Sequence, residues 1–276
     1  MRSCYGLWLM AYGLWKMGNG CGKRLRPLTI AISHLPLAIS VACTSGGPAS
    51  TPTARNLVFI TIDTLRADHV GAYGYTRART PNLDALGRGG VLFDRAYAAA
   101  PITLPSHATL MSGLYPPGHG SRDNGLRVSP SVPTLATALK ARGFRTGAFV
   151  AAFPLDHQFG LNRGFDVYGD HIPRGPDGRL ANERPASQVV DEAIAWLRQL
   201  APTQSPPAPP PFFLWVHLFE PHAPYGDPTG SRPVLDRYDD EIATADLQIG
   251  RLLDALGPGM ADTLTVAAGD HGEAFG

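Results

Sequence analysis

Two carboxylates and an imidazole in this chain could hold a metal ion together. Asp63 ends the apolar run NLVFITID, and Asp270 with His271 follows the apolar run TLTVAAG. Carboxylate oxygens and imidazole nitrogens are hard to borderline donors, suited to Mg²⁺, Mn²⁺, Ca²⁺ or Zn²⁺. Each Asp taken alone is more often a helix cap or a turn residue. The metal site is therefore predicted only if the fold brings the two runs together.

A candidate nucleophile lies between these runs. Thr103 immediately precedes a helix predicted at 105–114, whose free N–H groups and dipole favour an anion such as a phosphoryl or sulfuryl group. A hydroxyl nucleophile is almost fully protonated at neutral pH, so it needs a metal or a base to activate it. Thr103 next to the predicted metal would meet that need and add a ligand. The alternative is that Thr103 only caps the helix.

The elements that must position these residues alternate along the chain. Short apolar runs predict buried strands, and apolar residues at helical spacing predict helices. The segment at 201–211 is too rich in proline for a regular element. We therefore predict an α/β fold, a doubly wound and mostly parallel sheet sandwiched by helices. The predicted strands are 56–63, 146–152, 212–218 and 263–268, and the predicted helices are 80–89, 105–114, 133–142, 187–200 and 240–256.

The candidate residues cluster at the ends of predicted strands. Asp63, His217 with His222, and Asp270 with His271 all fall at or just after such an end. Ligands of doubly wound sheets bind beyond the carboxyl ends of the strands, so we expect the site at that edge. His217 has an equally good alternative as a core histidine, because it lies on a buried strand.

Composition excludes several classes of function. The 276 residues are 44% hydrophobic and 17% charged, enough for one sizeable α/β core. A net charge of +1, with no Lys/Arg run outside the N-terminal stretch, leaves nucleic-acid binding unsupported. Cys4, Cys21 and Cys43 all precede the first predicted core strand. The predicted domain therefore has no structural disulfide and no cysteine metal site.

The N-terminal residues 1–43 are predicted to be an export signal. Basic residues at 23–26 precede a mostly apolar stretch at 28–42 that ends in small residues. The sequence Ser-Val-Ala before Cys43 resembles a bacterial lipobox, in which the cysteine becomes lipid-modified, and 44–55 would then be a flexible tether. We expect an exported protein, periplasmic or a cell-envelope lipoprotein of a bacterium. The alternative is a plain secretory signal with an incidental cysteine.

Three segments together resemble a known family. IDTLRADHVGAYGY (62–75), TLPSHATLMSG (103–113) and AAGDHGEAFG (267–276) look like the catalytic skeleton of the sulfatase family, within the alkaline phosphatase superfamily. The resemblance covers 56–276 and implies an alkaline-phosphatase-like catalytic domain. Family members continue past the last motif, so the resemblance also implies that this domain is incomplete at its C-terminus.

The resemblance assigns roles to individual residues. HLFEPHAPY is similar to the family segment HxxxPHxPY, whose second histidine, here His222, faces the substrate and can protonate the leaving oxygen. Asn124, in SRDNG, resembles a substrate-oxygen contact. The whole implied set is Thr103, His107 and His222 as catalytic residues, Asn124 and His217 as substrate-binding residues, and Asp63, Asp270, His271 and Thr103 as metal ligands.

Departures from the family pattern shift the expected substrate. Sulfatases mature a Cys or Ser to formylglycine where this chain has Thr103, and Thr cannot form the hydrated aldehyde that expels sulfate. The arginine that stabilises the nucleophile is replaced by His107, which removes a permanent cation. The pair Asp270-His271 is closer to phosphatases and phosphonate monoester hydrolases than to sulfatases. We expect phosphate or phosphonate esters more than sulfate esters, a divalent ion (Ca, Mg, Mn or Zn) and no formylglycine.

Two other functions stay open. One is a transferase that passes a phospho group from Thr103 to an acceptor in the cell envelope. The other is a catalytically silent fragment that binds a metal or an anion. The expected partner is a small-molecule, glycan or lipid ester, and a membrane is expected only through a lipid anchor at Cys43.

Overall fold

The computed structural model describes most of the predicted domain. The predicted signal at 1–43, apart from 9–12, and the predicted tether at 44–55, apart from its last two residues, lie outside the described residues, as does most of the Pro-rich segment. None of the described helices is both long and apolar enough to cross a lipid bilayer. The described residues are 9–12, 54–173, 183–200, 209–226 and 231–275.

A seven-stranded sheet forms the centre of the molecule. In chain order the strands are β1 (Leu9–Tyr12), β2 (Asn56–Ile62), β3 (Val91–Leu92), β4 (Arg145–Phe149), β5 (Val167–Gly169), β6 (Phe212–Leu218) and β7 (Thr263–Gly269). Their spatial order is β3-β1-β7-β2-β6-β4-β5. The five strands from β7 to β5 are parallel, whereas β1 pairs antiparallel with both β7 and β3. The predicted mostly parallel sheet is confirmed.

Helices cover both faces of this sheet. They are α1 (Pro81–Gly89), α2 (Thr103–Ser112), α3 (Pro116–His119), α4 (Leu135–Lys140), α5 (Ala186–Leu200) and α6 (Val234–Leu256). Alternate residues of a strand point to opposite faces. On β6, the Trp215 ring lies 5.7 Å from His107 of α2, while the Phe212 ring lies 6.1 Å from Trp196 of α5. The helices therefore sandwich the sheet, as predicted.

Three of the predicted boundaries are wrong in informative ways. The strand predicted at 146–152 ends at Phe149, because the chain then leaves the pleat for a short 3-10 turn. The helix predicted at 240–256 begins at Val234, directly after Pro233, and its polar first turns hid that start. The helix predicted at 105–114 begins at Thr103, which places that residue inside the helix.

A buried arginine ties the far edge of the sheet to α5. The Arg184 side chain is only 1% exposed. Its guanidinium donates to the carbonyls of Val150 and Gly169 at 2.9 and 2.6 Å, and it pairs with Glu192 at 2.7 Å. A buried charge held by three such bonds stabilises the fold only as long as its partners are present.

We expect Arg184→Met to lower the free energy of unfolding by about 3 kcal/mol, because it takes the guanidinium from the buried Val150 carbonyl and from Glu192 and leaves the Gly169 carbonyl with only the Val150 amide as donor. Urea denaturation measures this. The matched control is Arg251→Met, since the Arg251 side chain is 42% exposed and pairs with the exposed Asp191. That change should cost less than about 1 kcal/mol. Equal losses in the two variants would contradict the structural role of Arg184.

Candidate active site

The carboxyl ends of three neighbouring strands bring the predicted residues together. Ile62 of β2 lies beside both Gly269 of β7 and Leu218 of β6 in the parallel register. Asp63 and Asp270 are the next residues of their strands, and their amides donate to the carbonyls of Leu218 and Ile62. Strand β7 ends at Gly269, so the backbone leaves the pleat directly afterwards. The side chains of Asp270 and His271, two successive residues, can therefore both point toward Asp63. The predicted edge therefore carries the site.

Three buried polar side chains face one another at this edge. The Nε2 atom of His271 lies 3.6 Å from Asp63 Oδ1 and 3.5 Å from Asp270 Oδ2. These three atoms have no hydrogen-bond partner among the described residues. Leaving buried polar atoms unpaired is costly, and a cation bound between them would satisfy all three. The donor set therefore fits a divalent metal ion.

The pKa shifts of Asp270 and His271 also indicate a site for a cation. Burial, reinforced by the negative charge of Asp63, raises the pKa of Asp270 to about 8. Burial opposes the charged form of His271, but the charges of Asp270 and Asp63 prevail and raise its pKa. Two carboxylates in a low-dielectric site repel each other strongly unless a cation separates them.

Thr103 contacts this cluster directly. It is the first residue of α2, 5% exposed, and its hydroxyl donates to Asp63 Oδ2 at 3.4 Å. The residue that caps α2 is Ile102, and no side chain caps the helix. The alternative of a capping threonine is therefore wrong, and the hydroxyl faces the carboxylate cluster instead.

The start of α2 offers fewer free amides than predicted. The amide of Leu104 donates to Asn124 Oδ1 at 2.9 Å, and Pro105 has no N–H. An anion at this helix end would therefore depend on other positive groups more than on backbone amides. Asn124 lies next to Thr103, where it helps to hold the helix start in place.

His107 lies beneath the site rather than in it. It is fully buried, with Nδ1 2.8 Å from the Thr103 carbonyl and Nε2 3.0 Å from Thr61 Oγ1. A carbonyl only accepts, so Nδ1 carries the proton, and Nε2 accepts from the Thr61 hydroxyl, which itself accepts from Trp215. Burial lowers the pKa of His107 to about 3. The neutral imidazole holds the Thr103 carbonyl, and its Nδ1 also lies 3.5 Å from Asp270 Oδ2, while the catalytic role of His107 stays a prediction.

His217 contacts Asp63 and is not among the described residues that line the cavity with Thr103. It is fully buried, its Nδ1 accepts from the Ala151 amide at 3.4 Å, and its Nε2 lies 3.6 Å from Asp63 Oδ2. Because Nδ1 accepts from the Ala151 amide, the proton of the neutral imidazole is on Nε2, where it points at the Asp63 carboxylate. Although burial opposes it, this imidazole lowers the pKa of Asp63. The structure therefore brings His217 to Asp63, while its predicted substrate contact stays a prediction.

His222 lines a cavity that Thr103 also lines. It stacks on Phe219 with ring centroids 4.4 Å apart, and its Nδ1 lies 2.5 Å from the Ala223 carbonyl. Because Nδ1 must donate to that carbonyl, Nε2 is the nitrogen that can exchange a proton with a ligand. A cavity of about 360 Å³ joins His222 to Thr103 and Asn124.

Several residues that hold the site were missed. Thr64 has φ 53°, an unfavourable value for a branched side chain, and its amide donates to Asp270 Oδ1. The Tyr238 hydroxyl donates to the Thr64 carbonyl at 2.8 Å, and Ser106 donates to the Asp270 carbonyl at 2.6 Å. Ser106 lies in a motif segment, but no sequence signal distinguishes Tyr238 from other apolar positions of α6.

At pH 9, above the raised pKa of Asp270, we expect Asp270→Asn to raise the melting temperature of the chelator-treated protein by a few degrees, because it removes one of two buried like charges. The same change should abolish stabilisation by added Mg²⁺, Ca²⁺, Mn²⁺ or Zn²⁺, which for a ligand at 100 times its Kd is about 2.7 kcal/mol. Differential scanning fluorimetry measures both. Asp68→Asn, at a side chain 62% exposed, is the control and should keep the metal response. A wild-type protein that none of the four ions stabilises would contradict the metal site.

Comparisons with known proteins agree with this geometry. The sequence profile described as Sulfatase matches residues 55–276. The mouse steryl-sulfatase is 37% identical over 45% of this chain and 22% of its own length. The ulvan-active sulfatase of Formosa agariphila is 26% identical over 91% of this chain and 57% of its own length. The phosphonate monoester hydrolase of Agrobacterium radiobacter has the same fold, with a TM-score of 0.61 at 21% identity, covering 79% of this chain and 62% of that chain.

This chain therefore spans less than two thirds of the length of each of these proteins. The profile match covers most of the chain, from the residue before β2 to the end, and includes every element that carries the site. The chain belongs to the sulfatase family.

Proposed function

We propose that the protein is a divalent-metal-dependent hydrolase of phosphate or phosphonate esters that uses Thr103 as its nucleophile. The observation that carries this proposal is the Thr103 hydroxyl, 3.4 Å from Asp63 and beside a buried set of unpaired metal donors. We propose Asp63, Asp270 and His271 as metal ligands, with Thr103 joining them. Bound there, a divalent ion would favour the ionised hydroxyl and offset negative charge on the transferred group.

Each protein group then has a defined task. The Thr103 oxygen forms a bond to phosphorus as the bond from phosphorus to the ester oxygen breaks, and His222 supplies a proton from Nε2 to that oxygen. Water then cleaves the bond between phosphorus and Thr103, which releases the phosphate or phosphonate and restores the hydroxyl. His107 and Asn124 hold the first turn of α2, so that the hydroxyl stays aligned.

The choice of phosphorus over sulfur rests on the nucleophile. A threonine ester has no aldehyde hydrate to collapse, so it must be opened by water or by another acceptor. Sulfatases have an arginine where this chain has His107, so this chain lacks that permanent cation. The described residues that line the cavity include no Lys or Arg either.

Sulfate ester hydrolysis is the second candidate. It is favoured by the names of the matched relatives, among them an ulvan-active sulfatase and a human arylsulfatase A. A phosphorus ester hydrolase and a sulfate ester hydrolase would show opposite preferences between the phosphate ester and the sulfate ester of the same alcohol. Transfer to an envelope acceptor differs from both in its product, a modified lipid or sugar instead of the free acid.

The test is turnover of 4-nitrophenyl phosphate, 4-nitrophenyl phenylphosphonate and 4-nitrophenyl sulfate by the metal-loaded protein. We expect a preference for the phosphorus esters and a loss of at least ~100-fold in kcat/KM for Thr103→Ala, with partial activity in Thr103→Ser, because only a hydroxyl at this position can attack.

The control variant is Thr244→Ala, at an exposed threonine of α6, which should keep full activity. Full activity in Thr103→Ala would disprove the nucleophile. A preference for the sulfate would show that the second candidate is correct. Absence of turnover for all three esters by a protein that binds metal would favour the catalytically silent alternative.

A further inference from the structure

One acidic side chain lines the cavity that holds the proposed nucleophile. Glu183 lines the same cavity as Thr103 and His222. It is the first residue of the described segment 183–200. Its carboxylate makes no hydrogen bond or ion pair with the described residues. A carboxylate with no hydrogen-bonded partner among the described residues, next to a site for an anionic ester, opposes binding unless a positive charge, on His222 or on the substrate, offsets it.

The position of this carboxylate is built into the fold. The backbone of Glu183 bridges Ala152, just beyond β4, and the next residue is the buried Arg184. The Arg184 amide donates to the Ala151 carbonyl at 2.9 Å, and its guanidinium fixes the neighbouring strand ends. The backbone of Glu183 is therefore held beside the cavity by its bridge to Ala152 and by the contacts of the next residue.

The surroundings of the carboxylate are apolar and negative. Phe153, Pro154 and Phe219 line the same cavity. Burial first, and then the negative charge of Glu220, raise the pKa of Glu183. The described residues that line the cavity include no Lys or Arg, and His222 is the described lining residue whose positive charge would favour the ionised carboxylate. A ligand cation would be attracted both by this carboxylate and by the aromatic faces of Phe153 and Phe219.

We propose that Glu183 selects substrates whose alcohol part carries an ammonium group, so that the enzyme prefers zwitterionic esters of amino alcohols over uncharged esters. The ester group would lie at Thr103, while the ammonium group would bind Glu183 along the Phe153 and Phe219 wall. This inference rests on the proposed function, since it names the alcohol part of the ester cleaved at the same site. Glu183 is a specificity residue here and has no part in bond cleavage.

The experiment compares three phosphate monoesters, 2-aminoethyl, 2-hydroxyethyl and ethyl phosphate, with the metal-loaded protein and with Glu183→Gln. Phosphate release gives kcat/KM for each. We expect the wild type to prefer the aminoethyl ester over the ethyl ester at least ~10-fold, mainly through KM. Glu183→Gln should bring the ratio close to one without lowering the rate for the ethyl ester. Asp254→Asn, at an exposed position near the end of α6, is the charge-matched control and should keep the preference.

The outcomes separate the two proposals. Equal turnover of the aminoethyl and ethyl esters, or a preference that survives Glu183→Gln, would overturn this inference and leave the phosphoesterase function intact. An equal gain for the hydroxyethyl ester would show that the carboxylate binds a hydroxyl, which also overturns it. If no phosphate ester is cleaved, the proposed function fails instead. Binding of 2-aminoethyl and ethyl phosphate to metal-loaded Thr103→Ala, by calorimetry, then tests Glu183 without turnover.

Discussion

The site depends on keeping two carboxylates, Asp63 and Asp270, buried side by side at the ends of adjacent parallel strands. Both are fully buried, and the unpaired oxygen of each lies within 3.6 Å of the same imidazole nitrogen of His271. Such a pair is unfavourable in a low-dielectric interior unless a cation is placed between its members. The surrounding structure holds the pair together, the raised pKa of Asp270 keeps a proton on that carboxyl in the metal-free site, and a divalent ion bound between the two groups would favour loss of that proton.

The fold supplies this restraint from several directions. The strained backbone at Thr64 lets its amide reach Asp270, while Tyr238 of α6 holds the Thr64 carbonyl from the other side. His217 lies behind Asp63, and His107 carries the restraint through Thr61 and the Thr103 carbonyl to the start of α2. The proposed nucleophile and the proposed metal ligands are therefore positioned by one connected set of contacts, which is the kind of support that a reactive site needs.

The parts of this arrangement that sequence could predict are those set by strand order. Asp63 and Asp270 follow long apolar runs, and such runs form the central parallel strands, so their convergence at one edge was expected. The roles of His107 and His217 could not be predicted, because they depend on which way each ring turns and on a hydroxyl, Thr61, that no motif marks. Glu183 was also missed, since a single acidic residue in a polar loop has no periodicity or spacing to distinguish it. Short β5 and the polar first turns of α6 were missed for the same reason.

The central claim is that the Thr103 oxygen bonds to the transferred group. The most direct measurement is mass spectrometry of the peptide containing Thr103 after the metal-loaded protein has been mixed with a 4-nitrophenyl phosphate ester and quenched in acid. The account predicts a phosphoryl group on Thr103 in the wild type and none in Thr103→Ala. Turnover that proceeds with no phosphoryl group on this peptide at any quench time, or a label that persists elsewhere in Thr103→Ala, would contradict it.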